Sequence, residues 1–180
     1  MIIGVPGSGK VHTIIHFLRV AKKLGKKVIL FGVNHSAIDS MLIRLLEYEE
    51  EQKIDESDRI NFVKVISQTQ KFNTHPKLDK YANSCNSFES LRELVLKVEQ
   101  TDLVVASVNN VFNQFFGCFK FDYCLLNEAS LVVEPLSIGP LLFAKKFVMF
   151  GDYYQLNPMV KSAEAEKRGM SISLFRRLCE

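Results

Sequence analysis

At 180 residues the chain is long enough for one domain with its own core and short for two. An apolar fraction of 47% with 24% charged residues excludes a largely disordered chain; the net charge of +3 permits nucleic-acid contact without arguing for it. No stretch has the length and apolarity of a membrane span, and residues 1–5 run into Pro6-Gly7-Ser8-Gly9-Lys10, too short a lead for a signal peptide.

In chain order, a strand stub leads into Gly4-Val5-Pro6-Gly7-Ser8-Gly9-Lys10, and apolar positions then recur at helical spacing over residues 10–24. Ile14, Phe17, Leu18 and Ala21 share one face of that helix, away from Arg19, Lys22 and Lys23. Lys27 to Phe31 reads as a buried strand, followed by a helical pattern over residues 36–50. The acids Glu47, Glu49, Glu50, Glu51, Asp55, Glu56 and Asp58 read as a solvated helix end and loop. Ile60 to Ile66 is a further strand. Residues 67–86 read as a polar surface excursion with a short helix. A helical pattern follows over 87–99, then strands at Leu103 to Ala106, Tyr123 to Leu126 and Lys146 to Phe150. Strands alternating with helices predict an α/β domain with a mostly parallel sheet flanked by helices, and ligands beyond the carboxyl ends of its strands. Cys85, Cys118, Cys124 and Cys179 show no CxxC spacing and read as reduced thiols of an intracellular protein.

Two stretches carry chemistry. In Gly4 to Lys10, glycines let backbone N–H groups turn inward around an anion, the following helix adds the positive end of its dipole, and Lys10 reaches the outer phosphates as a mobile charge. A P-loop carries Ser or Thr after that lysine to ligate Mg²⁺; here the position holds Val11, of similar shape and without oxygen. In Phe121 to Ser130, an apolar strand ends in Asn127-Glu128, where P-loop ATPases present an aspartate to the metal and a glutamate to the attacking water. His12 and His16 have a zinc-compatible spacing, but Thr13 stands where the H-E-x-x-H motif needs glutamate.

Taken together, these stretches resemble the superfamily 1 helicases that move 5′ to 3′, and most closely the helicase half of the bifunctional helicase/nucleases of DNA replication that trim Okazaki-fragment flaps. Gly4 to Lys10 is similar to the family's first motif, His35-Ser36-Ala37-Ile38-Asp39 to its "HSAVD" stretch, Phe121 to Ser130 to "FDYCIVDEAS", and Gly151-Asp152-Tyr153-Tyr154-Gln155-Leu156 to "GDxxQL". The stretches Gly139 to Leu141 and Gly169 to Phe175 match as well, all in family order.

The resemblance implies a single RecA-like P-loop NTPase domain over residues 1–180, with its first strand clipped and the second motor domain and the nuclease domain absent. It implies that Gly4, Pro6, Gly7, Ser8, Gly9, Lys10, Val11, Asp152 and Gln155 bind ATP. Lys10, Glu128 and Gln155 take the catalytic roles of phosphate contact, water polarisation and γ-phosphate sensing. Asn34, His35, Ser36 and Ser107 become the contacts to single-stranded DNA, with Gly32, Val33 and Asn34 departing from the family's "SYT". No metal ligand remains, because Val11 and Asn127 replace both protein ligands of Mg²⁺. The expected activity is ATP-driven DNA unwinding by the family, and poor or absent turnover by this chain alone. The alternatives are a non-hydrolysing nucleotide- or nucleic-acid-binding module, or an RNA helicase fragment of the same superfamily. The implied partners are DNA, a second motor domain or replication proteins. The implied location is intracellular, in the nucleus of a eukaryote. The phosphate loop is expected at the carboxyl end of a central strand, with Lys10 within about 6 Å, the reach of a lysine stem, of Glu128 and Gln155.

Overall fold

The computed structural model describes residues 1–66, 75–84, 88–111 and 114–180. Within them, seven strands form one sheet in the order β1-β7-β6-β2-β5-β3-β4, every pair parallel. The strands are β1 (Ile2–Ile3), β2 (Val28–Gly32), β3 (Phe62–Ile66), β4 (Ala82–Ser84), β5 (Leu103–Ser107), β6 (Phe121–Leu126) and β7 (Ala144–Gly151). The helices are α1 (Lys10–Lys23), α2 (His35–Glu51), α3 (Phe88–Gln100), α4 (Glu134–Leu141), α5 (Ala163–Lys167) and α6 (Leu174–Cys179).

The side-chain period of two explains the layering. In β2, Val28 and Leu30 face α1 and α2 with Ile14, Leu18, Met41 and Leu45, while Ile29 and Phe31 face the opposite core with Leu94, Val98 and Phe175. Both sheet faces are covered, so the central strands are apolar throughout. That is why the continuous runs at 27–31 and 103–106 were readable as buried strands. On α1 the buried face is Ile14, Ile15, Leu18 and Ala21; Phe17 is half-buried and meets Tyr123 edge-on, ring centroids 5.2 Å apart.

Several expectations need correction. The phosphate-loop strand β1 lies at the edge of the sheet, not at its centre, because it pairs with β7 alone among the described strands. In the polar stretch 67–86, residues 67–74 and 85–87, Cys85 included, lie outside the described residues. The rest holds a 3₁₀ helix at Pro76–Tyr81 and the short strand β4, which the polar sequence Ala-Asn-Ser concealed. Lys22 in α1 and Lys27 just after it are tied into the fold. Lys22 pairs with Asp102 at 2.8 Å, and Lys27 Nζ donates to the carbonyls of Val98 (3.2 Å) and Glu99 (2.6 Å) at the end of α3.

The acid run also contains a buried member. Glu49 is 1% exposed; its Oε1 accepts the backbone N–H of Ile60 at 2.8 Å and lies 3.7 Å from Arg19. Burial pushes the carboxyl up from its ordinary 4.5, opposed by the Ile60 hydrogen bond and the Arg19 charge. The native state then holds the proton more tightly than the unfolded chain. Glu49 therefore favours folding below the ordinary carboxylate value, and that contribution is lost as pH rises through the raised native value. Glu49→Gln is expected to remove this part of the stability–pH profile above pH 4.5, measured as urea midpoints across acidic to neutral pH. A profile unchanged by the substitution would show that Glu49 titrates normally.

Candidate functional site

The site is built where β1, β6 and β7 end. Gly4 N–H donates to the carbonyl of Gly151 at 3.1 Å, seating the loop on β7. Gly7 (φ 74°) and Gly9 (φ 86°) then adopt left-handed backbone that a side chain would strain, and Ser8 N–H closes back on the carbonyl of Val5 at 3.1 Å. Lys10 opens α1 directly after this turn.

Lys10 Nζ donates to the carbonyls of Gly4 (2.7 Å) and Val5 (3.4 Å) and lies 3.9 Å from Glu128 Oε1. The ammonium thus rests on the loop's own oxygens, poised beside the glutamate of the second motif. Glu128 holds a left-handed backbone, φ 55° and ψ 41°. For a residue with a side chain this costs about 1–3 kcal/mol, and such strain concentrates at functional sites.

These groups line a cleft of about 460 Å³, walled by Pro6, Gly7, Lys10, Val11, Arg44 and Glu128 among others. A second space of about 440 Å³ shares Val11, Arg44 and Glu128 with it and adds Ala37, Ser40, Met41 and Asn127. Sequence reasoning missed Arg44. The signal was present in the helical period: Ala37, Ser40, Met41 and Arg44 fall on one stripe of α2, continuing the His35 to Asp39 stretch.

Asn127 is 5% exposed, and its N–H donates to the carbonyl of Phe31 at 2.9 Å. Its Oδ1 is buried without a hydrogen-bond partner among the described residues. An aspartate there would be an anionic metal anchor; the amide offers a neutral oxygen, and Val11 offers none. The donor set does not fit a protein-anchored Mg²⁺.

The remaining candidates divide. Asp152 is 2% exposed and accepts the N–H of Tyr154 at 3.1 Å and the side-chain amide of Gln155, while its own N–H donates to Ser130 Oγ at 3.2 Å. This ties the third motif to the second, but turns Gln155 onto Asp152, and neither residue lines the cleft. Lys10 meets Glu128.

The proposed DNA contacts gather at the carboxyl ends of β2 and β5, where Gly32 is in register with Ser107. Asn34 caps α2, its Oδ1 accepting from Ala37 N–H at 2.8 Å, and Asn34 and Ser36 are exposed. His35 is half-buried. Ser107 is 1% exposed and its Oγ accepts from Asn109 N–H at 3.3 Å, so its hydroxyl is engaged inside the fold. His12 and His16 form an aromatic cluster with Tyr48, ring centroids 5.0–5.5 Å apart. No group of three or more His, Cys, Asp or Glu that could hold a metal occurs among the described residues, and no helix among them is long and apolar enough to cross a membrane.

Comparison with known proteins adds to this geometry. A family model for an AAA domain matches residues 89–163. A DNA replication ATP-dependent helicase/nuclease of Homo sapiens is 36% identical over 183 residues, covering 99% of this chain and 16% of its own length. The corresponding protein of Xenopus laevis is 35% identical over 182 residues, again 99% and 16%, and that of Saccharomyces cerevisiae 32% identical over 182 residues, 100% and 11%. The chain thus spans less than a fifth of the length of these relatives. The solved Hef helicase domain of Pyrococcus furiosus aligns over 89% of this chain and 34% of its own at 10% identity, with a TM-score of 0.38.

Proposed function

We propose, from its 32–36% identity over nearly its whole length to DNA replication ATP-dependent helicase/nucleases, that this chain is a helicase motor domain that binds nucleotide phosphates but does not turn them over usefully by itself. One observation carries the proposal. The loop, Lys10 and Glu128 converge on one cleft, while Val11 on its wall and Asn127 in the adjoining space supply no anionic or hydroxyl oxygen.

Phosphoryl transfer is mostly positioning and charge neutralisation. Backbone N–H groups of the loop and Lys10 bind phosphate without a metal. Loss of both protein ligands to Mg²⁺ removes charge stabilisation of the transferring phosphoryl group, and an arginine finger, where a partner domain supplies one, is worth on the order of 10³–10⁵ in rate. DNA contact is weak and phosphate-directed, through the exposed Asn34 and Ser36 and the adjoining backbone, and falls with salt. The chain acts inside the cell, in the nucleus if its source is a eukaryote, beside a second motor domain or other replication proteins.

The reading favours a non-hydrolysing binding module over a self-sufficient motor because the buried Oδ1 of Asn127 is neutral. The test is the double variant Val11→Thr/Asn127→Asp. Nucleotide titrations with Mg²⁺ and with chelator should show little difference for the natural chain and a clear Mg²⁺ dependence for the double variant. Phosphate release should stay low in both. Turnover by the natural chain at ordinary enzyme rates, on the order of 1–10³ s⁻¹, would refute the proposal.

A further inference from the structure

The cleft holds one cation that the phosphate-loop reading does not use. Arg44, in the third turn of α2, lines both spaces around the loop, the first together with Lys10 and Val11 and the second together with Val11 and Asn127. Its side chain is 55% exposed, and its ion-pair partner is Glu47 at 3.2 Å, one turn further along the same helix. Exposed pairs of this kind contribute little, so an incoming polyanion competes for the guanidinium with small loss. A guanidinium also presents paired donors that match phosphate oxygens, which a lysine at that place would not. The titratable groups lining the 460 Å³ cleft are Lys10, Arg44, Glu128 and His12, so removing Arg44 leaves Lys10 to balance Glu128.

We propose that Arg44 is the second phosphate-binding cation of this cleft, supplying from α2 the positive charge that Val11 and Asn127 do not anchor there, so that the site takes a triphosphate group without a divalent cation. The proposal rests on the phosphate-binding reading of Lys10 and its loop. It explains how a cleft lacking metal ligands can still hold three phosphates. Lys10 and the loop engage one side of the chain, and Arg44 the outer oxygens from the facing helix.

The test uses the whole chain and two probes, inorganic tripolyphosphate and ATP, titrated by calorimetry in chelator and in Mg²⁺. The natural chain should bind both probes in chelator. Arg44→Gln should weaken both by roughly tenfold or more, the loss of charge-assisted hydrogen bonds to phosphate. Glu47→Gln, which frees the guanidinium, should strengthen both. Arg44 is more exposed than buried, so the thermal midpoint of each variant should match the natural chain and separate a binding defect from a folding one. Unchanged binding by Arg44→Gln, with binding lost in Lys10→Ala, would overturn the role of Arg44 and leave the phosphate loop standing. A defect confined to ATP would move Arg44 to the base or sugar and overturn the phosphate assignment. If the natural chain binds neither probe in chelator, the loop reading and the Arg44 proposal fall together.

Discussion

Lys64→Met is expected to destabilise the domain by about 3–5 kcal/mol, the cost of leaving one charge of a buried pair without its partner. Lys64 is 1% exposed in the middle of β3, on the face that meets α2, and its Nζ pairs with Asp39 Oδ1. Asp39 is itself 8% exposed, and its other oxygen accepts weakly from His75 N–H at 3.5 Å. With methionine at 64 the carboxylate stays buried and loses its cation. The paired variant Lys64→Met/Asp39→Leu should recover most of the loss, because apolar replacement of both members of a buried pair is often neutral or favourable. Urea unfolding of the natural, single and double variants gives the comparison through their midpoints, with similar slopes expected. A single variant within about 1 kcal/mol of the natural chain would mean that water reaches Asp39. The pair also assigns Asp39 a structural part in the His35 to Asp39 stretch: it fixes α2, and with α2 the placement of Arg44.

Lys10→Ala should remove most phosphate binding, on the order of 10–100-fold, since a hydrogen bond to a charged group contributes about 1.5–3 kcal/mol and tenfold is about 1.4. The fold should change little. The lysine's partners here are the carbonyls of Gly4 and Val5 and the partly exposed Glu128, all of which water can reach through the open cleft. The variant therefore isolates binding from stability, measured by nucleotide titration beside a thermal melt. Retained affinity would place the phosphates on the loop amides alone.

Much of this architecture was legible before any coordinates. The strands at 103–107 and 121–126 are continuous apolar runs because helices cover both sheet faces, and such runs announce themselves. Val11 and Asn127 were legible because a motif fixes which side chain stands at each place around a phosphate. What escaped depends on tertiary neighbours. Nothing in Phe-Val-Lys-Val-Ile says that its lysine will meet an aspartate two elements earlier. Glu49 sits among acids that are solvated, and is buried only because α2 packs its last turns against the approach to β3. The edge position of β1 is equally invisible, since strand order is a property of the whole sheet.

That edge position has a consequence for synthesis on the ribosome. Ile2 and Ile3 are made well before their sheet partners, Phe150 and Gly151. The central strands can pair before then, whereas the phosphate loop has no strand to rest on until β7 emerges. Pairings so distant along the chain form slowly. The cleft is therefore completed only once β7 has joined the sheet, and a nascent chain cannot capture nucleotide in it while the central strands are already paired.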